Sequence, residues 1–473
     1  MKFFLYNSLT KTKQEFFPLN KEHVKMYVCG PTVYDLIHLG NARASIVYDL
    51  LYRILIYLYG DQHVTYVRNI TDIDDKIIQR AQKLNISTTD LTKTTIKNFH
   101  ADERYLNCLI PDHQPKATEY VKEMIQMISV LISKEYAYVS DGQVYFAVKK
   151  LGQQYTHLSG RKYEDIVADC ASEAGKISKC DFVLWKSAKN NERNEDTFDS
   201  PWGKGRPGWH IECSAMSHAL LGKDFDIHGG GVDLIFPHHT NEIAQSTAAF
   251  PGSKHAKYWV HSGFLTHGNE KMSKSLNNFV TVQDLRNQGV QAPIIRLMIL
   301  NTHYRKPLHF SMQSLAEAKK KIAYIYKVVK SINSSYKERF SKKDIASQTL
   351  PEQLLSPLLD DMNSHLAIEY VFNTAKQLNK DTSRKNEKLA KDFIASTNFL
   401  GFLTPELYNY DTDVVSSDKQ KQINKLLEER KVAKEQKNWK KADDIRNNLE
   451  ALGIRVLDNI DGSTTWEKIK ILE

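Results

Sequence analysis

Four short segments of the 473-residue chain carry side chains able to do chemistry. Residues 25–44, KMYVCGPTVYDLIHLGNARA, hold Cys29 and, further on, His38-Leu39-Gly40-Asn41. A free thiol is often just a small buried hydrophobe, yet its thiolate is a soft metal ligand. A second thiol, Cys213, closes Trp209-His210-Ile211-Glu212-Cys213. Residues 236–245, FPHHTNEIAQ, set His238 and Glu242 four apart, which on a helix is one face able to hold one ion. The same spacing also serves an ordinary surface ion pair. Two thiolates, one imidazole and one carboxylate form a borderline-soft donor set of the kind zinc takes, although nothing in the spacing brings the segments together. In the fourth segment, Asn269-Glu270-Lys271-Met272-Ser273-Lys274-Ser275, two lysines stand among small hydroxyl residues, a cationic loop suited to the β- and γ-phosphates of a triphosphate.

The elements that must position these residues read as an α/β nucleotide-binding fold. An apolar run gives a strand over 26–30, and an amphipathic run gives a helix over 42–59. Phosphates settle at such a junction, where free N–H groups and the helix dipole face the loop and Gly40 admits close approach. Helix capping by Asn41 is the simpler alternative. A second strand, 64–70, completes a βαβ unit and leaves Thr71 at the carboxyl end of a parallel strand, the edge where ligands collect. Asp72, Asp74 and Asp75 read as the acidic entry to a helix reaching Leu84 more readily than as a metal site.

A helix over 117–135, a hairpin over 138–146 turning at Asp141-Gly142, and a charge-rich stretch over 186–199 read as an insertion at about 111–200. A helix over 210–220 and a strand over 225–228 follow. Next comes the loop Gly229-Gly230-Gly231-Val232-Asp233, whose glycines can admit a nucleoside and whose carboxylate can accept from ribose hydroxyls, a flexible turn being the simpler reading of the glycines alone. A helix then runs from the PHH segment to about Phe250. Beyond Phe310, residues 314–332, 351–378 and 386–400 carry apolar side chains at helical spacing, as a bundle does. Residues 411–418 read as a polar linker. Between 419 and 446, ten Lys or Arg face five Asp or Glu with Trp439 among them, which suits an RNA backbone and an unstacked base, although a charge run alone is more simply a solvated helix.

The net charge of +9 favours a polyanionic partner. Cys29, Cys108, Cys170, Cys180 and Cys213 are odd in number and scattered, which predicts no disulfide framework and a reducing compartment. No apolar run spans a bilayer, and the N-terminus turns polar too soon for a secretory signal, so a soluble cytoplasmic protein without a membrane partner is expected.

Lys271-Met272-Ser273-Lys274-Ser275, paired with His38-Leu39-Gly40-Asn41, resembles the motif pair of class I aminoacyl-tRNA synthetases. Within that class CGPTVYD (29–35), NITDIDDK (69–76), WHIEC (209–213) and the PHH-x-NE segment resemble cysteinyl-tRNA synthetases, over nearly the whole chain. The resemblance implies a Rossmann-like α/β catalytic domain over 1–310, interrupted by the insertion. An α-helical bundle over 311–410 and a small α+β anticodon-binding domain over 411–473 would follow, in a monomer. It also implies ATP-dependent attachment of L-cysteine to tRNA(Cys) through cysteinyl-adenylate. One Zn2+ per chain would be held by Cys29, Cys213, His238 and Glu242 to select the substrate thiolate, and Mg2+ would accompany ATP.

By the same resemblance Thr71, Trp209 and His228 line the cysteine pocket, and Thr32, His38, Gly40, Asn41, Gly230, Asp233 and Lys274 hold ATP. His38, Asn41, Lys271 and Lys274 stabilise the phosphates in flight, and Lys434, Trp439, Asp443 and Asp458 contact tRNA. Asn41 stands where the motif has histidine; it can donate to phosphate but carries no charge. Thr240 stands where many relatives have glutamate. Two alternatives differ in kind. A ligase joining activated cysteine to an amino sugar should lack an anticodon domain, and a zinc-stabilised RNA-binding protein would show no cysteine-dependent ATP–pyrophosphate exchange.

Overall fold

The computed structural model describes residues 1–170, 173–189, 192–267, 270–271, 279–332, 341–380, 386–404, 417–436, 438–451, 454–458 and 464–468. Its centre is a parallel sheet of β1 (Val24–Val28), β2 (Val64–Arg68), β3 (Asp224–Gly231) and β4 (His255–Ser262), ordered β4-β3-β1-β2. The strands are nearly continuous apolar runs because both faces are covered. Met26 and Val28 pack into the cluster that contains helix α1 (Leu39–Tyr59), whereas Tyr27 faces the cluster containing α2 (Trp209–Leu221) and α3 (Thr240–Ala249). That alternation is the period-two geometry of a strand. Strand β1 has β2 on one side and β3 on the other, so the chain leaves its carboxyl end at the point where the strand order reverses, the usual crevice of open α/β sheets.

Several expectations change on contact with the structure. The glycine triplet is the end of β3, not a loop, and β3 runs on to Gly231. The hairpin is half of a four-stranded antiparallel sheet, Ala137–Ser140, Gln143–Phe146, Phe182–Ser187 and Gly205–Pro207, which continues past residue 200. The chain between the helix Tyr163–Asp169 and the third of these strands folds back so that Cys170 and Cys180 are joined by a disulfide, against the expectation from scattered spacing. The helix expected over 117–135 is a short 3-10 turn, Ala117–Tyr120, followed by Val121–Ser133. A helix at Thr88–Tyr105, capped by Ser87, was signalled by no apolar stripe.

The helical segment after the sheet comprises Met312–Ser331, Lys342–Ser347, Glu352–Leu358, Ser364–Lys380 and Glu387–Phe399. The run expected over 351–378 breaks where Asp361 and Met362 take positive φ. The Asp361 carboxylate there accepts from the Tyr6 N–H at 2.9 Å, the Tyr304 hydroxyl at 2.7 Å and Arg305 Nε at 2.8 Å. Tertiary donors thus outweigh helical periodicity. At the C-terminal end Ser417–Glu435 and Trp439–Ala451 pack with the hairpin Ile454–Asp458/Thr464–Lys468 around Ile423, Ile445 and Leu449. Residues 411–416 of the expected linker lie outside the described residues, and Ser417 already begins a helix. Among the described residues no helix is long and apolar enough to cross a membrane.

Candidate active site and metal centre

Cys29 follows β1 directly, its N–H donating to the Gly229 carbonyl of β3 at 3.0 Å. Cys213 projects from α2; His238 lies just ahead of α3 and Glu242 in its first turn. Cys29 Sγ is 3.6 Å from Cys213 Sγ and 3.5 Å from Glu242 Oε1, and His238 Nε2 is 3.2 Å from the same oxygen. All four donor atoms fall within 4.8 Å of one another. Zinc bonds of about 2.0–2.3 Å set tetrahedron edges of about 3.3–3.8 Å, so the four side chains fit that ion. A second set, Cys29, His228, His239 and Glu242, shares two of these residues and meets the same separation.

Charge argues for a cation as well. Burial pulls the His238 pKa down to about 4, leaving a neutral imidazole with a lone pair for a metal. Burial opposes ionisation of Glu242, but the His228 and His238 rings more than offset it and hold the carboxyl well below the usual range. Burial, with Cys213 and Glu242 beside it, pushes the Cys29 thiol well up, and burial raises Cys213 too. Within the four-donor set, a neutral His238 and an ionised Glu242 leave a net negative charge, and ionising the thiols makes it more so. A dication balances it.

Behind the donors stands an outer layer. His238 Nδ1 meets His210 Nδ1 at 3.0 Å; His239 Nδ1 meets His261 Nε2 at 2.8 Å, and His261 Nδ1 meets Ser8 Oγ at 2.7 Å. His210, His239, His261 and Glu212 were missed from sequence. The available signal was the density of histidines between 228 and 261 and a lone acid in the apolar segment of α2. The three aspartates do not form a metal site: Asp72 accepts from the Thr118 N–H and hydroxyl, Asp74 caps the helix Asp75–Leu84, and Asp75 pairs with Lys186 and Arg206.

Next to Cys29 opens a cleft of about 490 Å³, lined in part by Thr32, His38, Gly40, Asn41, Gly231 and Asp233. His38 is the N-cap of α1: its Nδ1 accepts from the Gly40 N–H at 3.0 Å, while Asn41 Oδ1 accepts from the His38 N–H at 3.3 Å. Capping and cleft lining therefore coincide in the same two side chains. With Nδ1 accepting, the His38 proton sits on Nε2. Gly230, expected at the nucleotide, is instead packed inside. Its N–H donates to the Tyr48 hydroxyl, the Tyr48 hydroxyl faces its carbonyl at 2.6 Å, and a Cβ there would stand 2.7 Å from the His239 ring.

Of the expected cysteine pocket, Thr71 is buried and its hydroxyl donates to Glu212 Oε2 at 3.0 Å. His228 is fully buried, stacked on Trp259 at 4.5 Å with Nε2 2.8 Å from Glu242 Oε2. Trp209 is 38% exposed and lies over His238 with ring centres 4.2 Å apart, at the rim of the metal cluster. Lys271 ends a two-residue strand, Glu270–Lys271, but its side chain and all of Lys274 lie outside the described residues. Exposed Trp439 and Asp443 share one face of their helix; Lys434 precedes them near the end of Ser417–Glu435. Asp458 ends the strand Ile454–Asp458, and its side chain is outside the described residues.

A family model described as the class I (C) tRNA synthetase catalytic domain matches residues 15–320, and one described as the cysteinyl-tRNA ligase anticodon binding domain matches residues 417–466. The cysteine-tRNA ligase of Orientia tsutsugamushi (strain Ikeda) is 50% identical over 479 residues, covering 99% of this chain and 100% of that protein. That of Rickettsia felis is 48% identical over 474 residues, covering 99% of each. Among solved structures, Mycobacterium tuberculosis methionyl-tRNA synthetase in complex with methionyl-adenylate superposes with a TM-score of 0.52 at 15% identity. That match covers 80% of this chain and 89% of the other, a likeness of fold alone.

Proposed function

The chain belongs to the cysteinyl-tRNA ligase family of class I synthetases, and from that premise we propose how its residues divide the reaction. The protein attaches cysteine to tRNA at the expense of ATP. Selection of the amino acid falls to Cys29, Cys213, His238 and Glu242, which hold one Zn2+. Bound there, zinc supplies a soft Lewis acid that a thiolate satisfies and a serine hydroxyl does not. A hydrophobic pocket alone separates near-isosteres by only about 1–3 kcal/mol. Thr71, Trp209 and His228 bound the remainder of the cysteine pocket, with Trp209 as the wall open to solvent.

Activation joins the cysteine carboxylate to the α-phosphorus of ATP, expelling pyrophosphate with its Mg2+ and leaving cysteinyl-adenylate. His38 donates from Nε2 to the α/β-phosphates, since its Nδ1 is committed to the Gly40 N–H. Asn41 uses its Oδ1 on the His38 N–H and turns its amide N–H groups to phosphate. Thr32 and Gly40 border the phosphates, Asp233 accepts from the ribose, and Gly230 sets the β3 terminus beneath it. Lys271 and Lys274 take the charge of the departing pyrophosphate. Positioning and charge stabilisation carry such a step, without a covalent enzyme intermediate. The 2′-hydroxyl of the terminal tRNA adenosine then takes the acyl group and AMP leaves. Lys434, Trp439, Asp443 and Asp458 hold the anticodon region, and one chain acts as a monomer.

The observation that carries this proposal is the convergence of four donor atoms from three distant segments beside the cleft that His38 and Asp233 line. Cysteine-dependent ATP–pyrophosphate exchange by the zinc-loaded protein, with serine alongside, tests it. Exchange is expected with cysteine and not with serine, and Cys213→Ser should lose the preference with the zinc. A Cys213→Ser protein that still prefers cysteine sinks the zinc assignment.

A further inference from the structure

Arg43, in the first turns of α1, is 1% exposed and does not line the cleft. Its guanidinium is spent on main-chain carbonyls. Nη1 donates to the Gly263 carbonyl at 2.9 Å and to that of Phe264. Nη2 donates to the carbonyls of Tyr304 at 3.1 Å, His303 at 3.4 Å and Lys306. Burial lowers its pKa to about 10 with no acid offsetting the shift, so the group stays charged at neutral pH among neutral acceptors. Buried charges are ordinarily matched by an opposite charge. What this arrangement provides is geometry: the two arms of a rigid fork hold two chain segments at once.

Those segments frame the phosphate end of the cleft. From β4 the chain passes through Gly263 and Phe264 into the strand Leu265–His267, and Lys271 and Lys274 follow in sequence. Ser262, Gly263, Phe264 and Leu265 line the cleft. The other segment, His303 to Lys306, leads into the strand Leu308–Phe310, which pairs in parallel with Leu265–His267. The Gly263 N–H donates to the Tyr304 carbonyl at 2.7 Å and the Leu308 N–H to the Phe264 carbonyl at 2.9 Å. Past Lys274 the chain returns to the same end of α1. There the Leu39 N–H donates to the Val280 carbonyl at 2.9 Å, the Val282 N–H to the Ile37 carbonyl at 3.3 Å, and Thr281 bridges to His38. The returning end is thus held to α1 by backbone, whereas the outgoing end is held to it by the Arg43 side chain.

We propose that Arg43 is a positioning residue for the activation step. Its two-armed grip fixes the outgoing end of the segment that bears Lys271 and Lys274, with the Ser262 to Leu265 wall, against the turn of α1 that presents His38 and Asn41. This rests on the ligase function above, in which the two lysines take the charge of pyrophosphate, and it names the side chain that registers them with His38.

The full-length zinc-loaded parent, Arg43→Lys and Gly263→Ala are compared in two half-reactions, with rates referred to the folded fraction. One is cysteine-dependent ATP–pyrophosphate exchange; the other is transfer of cysteine from added cysteinyl-adenylate to tRNA(Cys). Lysine keeps the charge and loses the fork. In Gly263→Ala the new Cβ would stand 2.6 Å from the Lys306 carbonyl oxygen, so the same two segments are forced apart with Arg43 intact. A misplacement of about 1 Å costs on the order of 100-fold, so kcat for exchange should fall about 10–100-fold in both variants, and KM for pyrophosphate should rise. KM for cysteine should stay within about twofold and transfer within about threefold, because pyrophosphate takes no part in transfer. Exchange by Arg43→Lys within about twofold of the parent would make the fork dispensable and overturn the proposal. So would equal losses in exchange and transfer, the pattern of an arginine that only packs. If Arg43→Lys does not fold, Gly263→Ala decides by the same two patterns. If the parent itself showed no exchange with cysteine, the ligase function would fall instead.

Discussion

Replacing His210 by alanine decides which imidazole holds the metal. His238 Nε2 faces Glu242 Oε1 at 3.2 Å, and its other ring nitrogen faces His210 Nδ1 at 3.0 Å. With Nε2 as ligand, the ring proton sits on Nδ1 and is donated to His210, which fixes tautomer and ring orientation. One such bond contributes about 0.5–1.5 kcal/mol net. Loss of an outer-layer partner costs about 10–100-fold in metal affinity, or about 1.4–2.7 kcal/mol. The two ranges meet near tenfold, so His210→Ala should raise the zinc Kd about tenfold in competition with a chromophoric chelator near neutral pH. His239 supplies the comparison. Its Nε2 lies 3.3 Å from Cys29 Sγ, and its Nδ1 leans on His261. Should His261→Ala carry the loss while His210→Ala stays within about twofold, the assignment to Cys213 and His238 is refuted. The metal then belongs to Cys29, His228, His239 and Glu242.

Three other perturbations separate stability from catalysis. Asp49 is buried against Arg53, 2.8 Å from its Nε, and against Arg296, so Asp49→Asn leaves two guanidiniums unpaired and should cost about 3–5 kcal/mol, on the order of 10 °C in Tm. Burial opposes the Asp49 charge, but Arg296 and Arg53 outweigh it and hold the pKa low. The stabilisation is therefore complete above the ordinary carboxylate pKa near 3.9, and the Tm gap between parent and variant should stay flat down to about pH 5 and close only below about pH 4. Asn41→Ala should reduce the exchange rate about 10–100-fold with Tm nearly unchanged; equal rates would restrict Asn41 to capping. Trp439→Ala should raise KM for tRNA about tenfold and leave exchange untouched, and an unaltered KM would remove Trp439 from the RNA contacts.

Side-chain type, more than pattern, made the site legible. Cys29, Cys213, His238 and Glu242 stand out because thiols and imidazoles with metal-binding chemistry are few, and the HxxxE spacing survives as a helical turn although α3 proper starts only at Thr240. Strands β1 and β2 were visible because two-sided burial leaves continuous apolar runs. What stayed hidden depends on tertiary partners. His210, His239, His255 and His261 crowd with His228 and His238 around Glu242 and Trp259, and no spacing in the sequence marks those four. The break at Asp361 is set by donors on Tyr6, Tyr304 and Arg305, hundreds or tens of residues away. The Thr-rich helix Thr88–Tyr105 lacks the apolar stripe that marks a helix in isolation.

The connection after β1 carries the deepest constraint, because both half-sites hang from it. Cys29 reaches the four-donor cluster and His38 caps α1, so on the proposed assignment the backbone between them sets the reach from thiolate to α-phosphorus. Gly30 fixes its start: a Cβ there would fall 1.6 Å from the Asn69 carbonyl oxygen, and the Asn69 side chain accepts from the Gly30 N–H at 2.8 Å. Thr71 then takes up the next turn, its N–H donating to the Pro31 carbonyl and its own carbonyl accepting from the Val33 N–H. The loop is thus stitched to the end of β2. On the proposed assignment, a shift of about 1 Å in this seam would misalign the amino acid and ATP together, since both are measured from the same backbone.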